Sequence, residues 1–206
     1  MKSIALIAQS LGSSWASGLN LYAVLSVLGL LGRFDLVEFG GSLAILESWW
    51  VIGPAVAMYL VEFVVDKVPW LDSAWNAVHT FVRIPAGALL AAGTFSDHGT
   101  AAQIAALVAG GALAGESHLL KSGARAAINA SPEPVSNWIA SVLEDVTAVG
   151  GIVLALQHPG WFLALLAVFV IGGAVALYFL WEVVLALFGR IGRWLGRRPA
   201  AAGSNH

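Results

Sequence analysis

The sequence contains no cysteine among its 206 residues. Without a thiol it can form no disulfide, no thiolate nucleophile and no cysteine-ligated metal site. The metalloprotease pattern HExxH, the hydrolase pattern GxSxG and the phosphate-binding pattern GxxxxGK[ST] are also absent. The five histidines show no metal-ligand spacing. The sequence therefore predicts no metal and no cofactor.

Charged residues are scarce as well. They make up 11% of the chain, against about 25% in a soluble domain. Hydrophobic residues make up 59%, and the mean hydropathy is +0.83. This leaves too little polar surface to cover a soluble globule, so the lipid bilayer is the expected partner. A net charge of −2 argues against a nucleic-acid partner.

The apolar runs between proline, glycine and charged residues predict an all-α, polytopic membrane bundle of about six helices. They lie near residues 4–31, 48–67, 71–95, 100–126, 136–157 and 160–196. A bilayer core about 30 Å thick needs about 20 helical residues per crossing, so a chain of this length has room for about six crossings. We expect one integral membrane domain over residues 1–196 and a short polar tail over 197–206.

Two stretches share a pattern, which predicts an internal repeat of a helix pair near residues 55–95 and 109–157. The first copy carries Glu62, Lys67, Pro69, Ser73, Trp75 and Gly87. The second carries Glu116, Lys121, Pro132, Ser136, Trp138 and Gly150. Such repeats often enclose a polar site. The copies are parallel if every helix crosses, and inverted if one segment turns back at Pro69 or Pro132.

Basic residues predict the orientation. Six crossings would place both termini on one side, together with eight of the ten basic residues: Lys2, Lys67, Lys121, Arg125, Arg190, Arg193, Arg197 and Arg198. Since basic residues favour the cytoplasmic side, both termini are expected there, and the count favours parallel copies. We interpret Lys67, Lys121, Arg125 and the C-terminal arginines as interfacial anchors.

A polar stripe marks the third predicted helix. Asp72, Asn76, His79 and Arg83 follow one another at spacings of four, three and four, which places them on one face. The fifth helix has a similar stripe of Asn137, Ser141, Glu144 and Asp145. Because a charge facing lipid is costly, these groups should face one another, and we expect Arg83 to pair with Glu144 or Asp145.

Other polar residues extend this candidate site. Glu62 and Asp66 lie one turn apart on the second helix, and Glu116 occupies the equivalent place in the second copy. Asn20 belongs to a first helix that is rich in serine and glycine, which favours close helix packing, with a role in lining the site as the alternative.

Three functions fit this pattern. The leading hypothesis is transport of a small polar or anionic solute or ion. In this hypothesis Arg83 binds the anion. Protons or cations are carried by His79, Asp72, Glu144 and Asp145. Glu62 and Glu116 act as gating or orienting groups. The second is a structural or assembly protein with static buried ion pairs. The third is a membrane-embedded lipid-modifying enzyme. A homodimer is compatible with the sequence but not required by it.

The segment from Tyr59 to Arg83, with its E-x3-D-K-x-P-x2-D-S core, resembles the signature of a bacterial membrane family called domain of unknown function 4126. The stretch Gly18 to Tyr22, the run from Asn129 to Trp138 and the pair Glu144-Asp145 are similar to it too. The resemblance covers roughly residues 10–160, leaving the last helix outside. It implies a small inner-membrane protein and no established activity.

Overall fold

The computed structural model describes the backbone of residues 2–130 and 134–195, and the side chains of residues 2–130 and 135–186. The described residues form helices and no strand, which confirms the all-α prediction. The helices are α1 Lys2–Arg33, a 3-10 helix Gly41–Glu47, α2 Trp49–Val65, α3 Pro69–Thr94, α4 Thr100–Asn129, α5 Pro134–Gln157 and α6 Pro159–Leu195. The polar tail predicted for 197–206 lies outside the described residues.

Local chemistry sets the helix boundaries. Pro69, Pro134 and Pro159 stand at the first positions of α3, α5 and α6, where the missing N–H of proline costs nothing and its fixed φ favours the helix. The side chain of Ser48 accepts a hydrogen bond from the Trp50 N–H and so caps α2. These signals explain why the α-helices begin within a few residues of the predicted positions.

Helix α1 is interrupted at Asn20, which has φ −148° and ψ 96°. Before this residue α1 runs antiparallel to α3, because Ser10 contacts Ala91 and Ser14 contacts Gly87. After it the direction reverses. Leu25 lies beside Leu89 and Leu90, and the Ser42 N–H donates to the Ser96 hydroxyl in the turn that follows α3. The second half of α1, residues 21–33, therefore returns to the end of the bundle where the first half begins.

The first half of α1 is the centre of the bundle. Its side chains from Gly12 to Leu21 are buried, and α3, α4 and α5 all pack against α1. Helix α6 contacts it through Phe162 and Phe169, whose rings pack edge-on against Trp15. Ala8, Trp15, Ala148, Ile152 and Phe162 belong to the apolar core on this side.

Small residues let α1, α3 and α4 approach closely. Ser14 Oγ donates to the Gly87 carbonyl at 2.7 Å, and Ser117 Oγ donates to the Trp15 carbonyl at 2.8 Å. A methyl group added at Gly18 would collide with the backbone carbonyl of Ala114. The serine and glycine residues of α1 therefore serve the close packing that the sequence favoured.

Three helices in the described part of the chain are long and apolar enough to cross a membrane: Lys2–Arg33, Val135–Gln157 and Pro159–Ala186. The 3-10 helix and α2 qualify together as a fourth segment, bent by 64°. These candidate spans indicate a membrane protein. Helices α3 and α4 are long enough but carry the polar and charged residues of the site, so the six crossings predicted from length are not established.

The two ends of the described chain lie at opposite ends of the bundle. Lys2 and Ser3 line a cleft with Phe95 and His98, at the end where α3 stops. Helix α6 runs parallel to α4, because Gly173 lies against Glu116 and Gly123 against Leu180, and so it ends at the other side. The prediction that both termini share one side is therefore not confirmed, and the last residues of the chain lie outside the described part. The separation of the two described ends follows from the reversal at Asn20, which returns the second half of α1 to the end of the bundle where the first half begins.

Helices α2 and α4 run in one direction, and α3 and α5 in the other. These are the directions of the parallel version of the repeat. The repeat itself stays a prediction, since Pro132 and its neighbours Ser131 and Glu133 lie outside the described residues.

Candidate functional site

Eight ionisable side chains gather where α2, α3, α4 and α5 meet the interruption of α1. We call them the charged cluster: Glu62, Asp66, Asp72, Arg83, Lys121, Arg125, Glu144 and Asp145. Six of them are at most 4% exposed, and Glu144 and Asp145 are partly buried. Such burial of charge is costly unless partners and hydrogen bonds offset it.

Arg83 pairs with Glu62 of α2 through a short contact between Nη2 and Oε1. Its other terminal nitrogen, Nη1, faces Oδ1 of Asn76 and Nδ1 of His118, each at 3.3 Å. The predicted pairing of Arg83 with Glu144 or Asp145 is wrong. The polar stripe on α3 shows which of its side chains share a face. Which carboxylate contacts that face depends on how α2 and α5 pack, and the sequence does not give this packing.

Lys121 is buried and binds three carboxylates. Its ammonium lies 3.1 Å from Glu144, 3.4 Å from Glu62 and 3.7 Å from Asp66. It also donates to the Leu19 carbonyl at 2.7 Å. The interpretation of Lys121 as an interfacial anchor is therefore wrong.

Arg125 is the second cation that sequence reasoning assigned to the interface, and it is 1% exposed. Its guanidinium binds Glu144 by two hydrogen bonds, from Nε to Oε1 at 2.8 Å and from Nη2 to Oε2 at 2.9 Å. It also binds Asp66 at 3.2 Å and Oδ1 of Asn137 at 2.9 Å. This fork geometry suits arginine and not lysine. Asn137, predicted as a site residue, thus acts as an uncharged partner of Arg125.

The interruption of α1 supplies backbone groups to the cluster. The carbonyl of Leu19 accepts from Lys121, and that of Gly18 accepts a long bond of 3.5 Å from Arg83. Oδ1 of Asn20 accepts from the Ala23 N–H at 3.0 Å and so caps the second half of the helix. A broken helix whose free carbonyls face cations is a common feature of membrane ion sites.

Asp145 is held by neutral donors. The amide of Asn20 donates to Oδ1 at 2.8 Å, and the Tyr59 hydroxyl donates to Oδ2 at 3.1 Å. No ion pair involves Asp145 among the described residues. Asn20 is therefore a site residue as well as a packing residue.

Asp72 is fully buried and accepts from Asn76 and Asn129, each at 2.7 Å. The nearest cation is Arg125, whose Nε lies 4.0 Å away. Beside them a cleft of about 180 Å³ opens between α3 and α4. Its polar lining consists of Ser73, Asn76, Thr80, Ser122 and Arg125. Because Arg125 belongs to the charged cluster, this cleft connects the surface of the described bundle with the cluster.

Two histidines complete the polar region, and their hydrogen bonds indicate neutral rings. His79 donates from Nδ1 to the Trp75 carbonyl at 2.9 Å, which leaves Nε2 to accept from Tyr22 at 3.0 Å. His118 accepts at Nδ1 from Arg83, so its proton is on Nε2, toward Thr80 at 2.8 Å. The hydrogen-bond partners of His79 are therefore Tyr22 and Trp75.

Carboxyl groups outnumber cations in the charged cluster. Five carboxyl groups face three cations, an excess of two negative charges if all are ionised. Oε2 of Glu62 and Oδ1 of Asp66 are buried and accept no hydrogen bond from the described residues. Burial raises the pKa of Asp66, which follows α2, to about 6, although Lys121 and Arg125 favour its charged form. One or two carboxyl groups of the cluster can therefore bind a proton without leaving a cation unpaired.

Glu116 and Lys67 lie outside the cluster. Glu116 faces α6 and makes no hydrogen bond or ion pair with the described residues. Lys67 is partly exposed, with its ammonium 3.0 Å from the centroid of the Phe63 ring, consistent with an anchoring role. Sequence reasoning missed Lys121 and Arg125 as site residues, although His118, Lys121 and Arg125 have the spacing of one helix face. That spacing did not identify them, because Lys121 and Arg125 were interpreted as interfacial anchors.

Comparison with known proteins places this architecture in one family. No curated protein and no solved structure matches the chain. The profile of the family described as domain of unknown function 4126 matches residues 7–179, and so it includes much of α6, which the resemblance seen in the sequence did not reach. The match covers most of the 206 residues, and the chain therefore belongs to the domain of unknown function 4126 family.

Proposed function

We propose that this protein moves protons across the membrane through the charged cluster. The observation that carries the proposal is the interruption of α1 at Asn20, which brings backbone carbonyls to two cations inside a group of five carboxyl groups. Interrupted helices beside ionisable groups are typical of ion pathways in secondary transporters.

The charge balance favours protons over an anion. Each of the three cations already contacts a carboxylate, so an anion entering the cluster would add to an excess of negative charge. No three His, Asp or Glu side chains of the described residues are arranged to hold a metal ion. Asp145, with neutral donors only, and Asp66, whose pKa is raised by burial to about 6, are the groups best placed to exchange a proton.

The orientation follows from the helix directions and the basic residues. We propose that the charged end of the bundle, with Lys67 and the last turns of α6 at Arg190 and Arg193, faces the cytoplasm of a bacterial inner membrane. The N-terminus of α1 would then lie on the outer side. This proposal replaces the expectation of two cytoplasmic termini.

Proton flux into sealed liposomes tests the function. Purified protein is reconstituted with a pH-sensitive dye inside, and a potassium diffusion potential drives proton entry. We expect flux well above that of protein-free liposomes, and its loss in Asp145→Asn, because an amide keeps the hydrogen-bonding shape but carries no proton at neutral pH. Glu182→Gln is the matched control, since Glu182 is exposed on α6. Flux equal to that of empty liposomes, or flux unchanged in Asp145→Asn, contradicts the proposal.

A static structural role is the second candidate. It is supported by the number of partners per cation, since Lys121 alone contacts three carboxylates. A scaffold predicts that exchanging the charges of Glu62 and Arg83 restores folding lost in either single variant, and that no variant shows flux. The liposome experiment distinguishes the two roles.

A further inference from the structure

Glu116 is a partly buried carboxyl group at the contact of α4 with α6. It projects from α4 toward Gly173 of α6, and a methyl group added at Gly173 would collide with its Oε1. Gly173 lies at the centre of Pro159–Ala186, the candidate span with the highest mean hydropathy, 2.6. The carboxyl group therefore lies beside the middle of the most apolar helix.

The surroundings of Glu116 offer no compensation for a negative charge. Oε1 is buried and has no hydrogen-bond partner among the described residues, and Glu116 takes part in none of the ion pairs found there. The Leu120 side chain also lies against Gly173, so the contact of α4 with α6 at this level is otherwise apolar. An ionised carboxylate in such a place is strongly disfavoured, whereas a protonated one is tolerated.

From this geometry we propose that Glu116 is a proton-binding site in the bilayer, separate from the charged cluster. The site consists of one carboxyl group at the contact of α4 with α6, with Gly173 leaving the space it occupies. The proposal does not rest on proton flux through the cluster, because it concerns the protonation state of one group.

Reaction with a hydrophobic carbodiimide tests this site. Dicyclohexylcarbodiimide partitions into the bilayer and reacts with protonated carboxyl groups, and peptide mass spectrometry locates the adduct. Membranes containing the whole protein are treated at neutral pH. We expect a stable adduct on Glu116 and none at this position in Glu116→Gln, with Asp97 reacting much more weakly because it is exposed in the turn between α3 and α4, outside the candidate spans.

A pair of glycine variants makes the test specific to the geometry. Gly173→Ala should displace the carboxyl group and change its labelling several-fold, whereas Gly172→Ala should leave it unchanged, because nothing lies within 4 Å of a methyl group there. Absence of the adduct in folded wild-type protein, or its appearance only at strongly acidic pH, overturns the proposal. Equal labelling of the two alanine variants also overturns the assigned position.

Discussion

At the scale of single residues, the site depends on how each buried charge is matched. Arg125 shows this most clearly, because its guanidinium contacts two carboxylates and the side-chain oxygen of Asn137 at 3.2 Å or less. Lys67, by contrast, packs on Phe63 and bonds to its carbonyl oxygen at 2.7 Å. Two basic residues that look alike in the sequence thus have opposite roles.

Substitution of Arg125 should expose this difference. We expect Arg125→Gln to reduce the free energy of unfolding by about 3–5 kcal/mol, because it leaves buried carboxylates without their main partner. The free energy of unfolding of Arg125→Lys should lie between those of Arg125→Gln and the wild type, since a lysine keeps the positive charge but cannot form the two parallel hydrogen bonds of the guanidinium. Unfolding of the detergent-solubilised protein measures the effect.

Lys67→Gln is the control, with an expected change within about 0.5 kcal/mol, as for other surface substitutions. Similar losses for Arg125→Gln and Lys67→Gln would show that Arg125 is an interfacial anchor after all.

The candidate site could be predicted in part at this scale. Spacing placed Asp72, Asn76, His79 and Arg83 on one face, and all four are buried at the site. Partners could not be predicted, because Arg83 meets Glu62 through the tertiary packing of α2, which lies mainly against α1 and only briefly against α3. Glu116 was placed in the site by the repeat alone, and the packing of α4 turns it toward α6.

At the scale of helices, the close packing of α1 on α4 determines where the backbone carbonyls lie. Gly18 faces the backbone of Ala114 and His118 with no space for a side chain. The helices were predictable from apolar runs and prolines. The reversal of α1 was not, since Gly18 and the serines before it were interpreted as packing residues and not as signals of an interruption.

Gly18→Ala should therefore weaken the bundle. We expect a loss of about 1–3 kcal/mol, the usual cost of forcing an extra methyl group into a packed core, because the backbone atoms that it meets cannot move aside as a side chain can. Gly150→Ala is the matched control, with nothing within 4 Å of the new methyl group. Thermal unfolding of both variants, in the same detergent, gives the comparison. A Gly18→Ala variant as stable as Gly150→Ala would rule out the close approach described for α1 and α4.

At the scale of the whole molecule, the reversal of α1 places the two ends of the described chain at opposite ends of the bundle. Ser3 and Asp97 lie at one end of the bundle and Lys67 at the other. Counting helices in the sequence gives an even number of elements between the two ends, but a helix that turns back in its middle does not carry the chain to the other end of the bundle. The direction of every later helix therefore depends on one residue in the middle of α1.

Cysteine labelling in cells measures this topology, and the native chain contributes no background thiol. We expect a membrane-impermeant thiol reagent to label Ser3→Cys and Asp97→Cys in intact cells, and Lys67→Cys only in inverted vesicles. Both outer positions serve as controls for each other, since they lie at the same end of the bundle. Labelling of Ser3→Cys and Lys67→Cys from the same side would contradict the reversal of α1.

The central position of α1 also has a consequence for synthesis on the ribosome. Asn20 is made early, but Asp145, which binds its amide, lies 125 residues further along the chain. At about 5–20 residues per second, the ribosome adds that stretch in roughly 6–25 seconds. Ser117, the partner of the Trp15 carbonyl, comes 102 residues after it. The first half of α1 is thus synthesised well before its hydrogen-bond partners. Until α4 and α5 have been synthesised, its polar groups lack these partners, whether the segment lies in the membrane or in the insertion machinery.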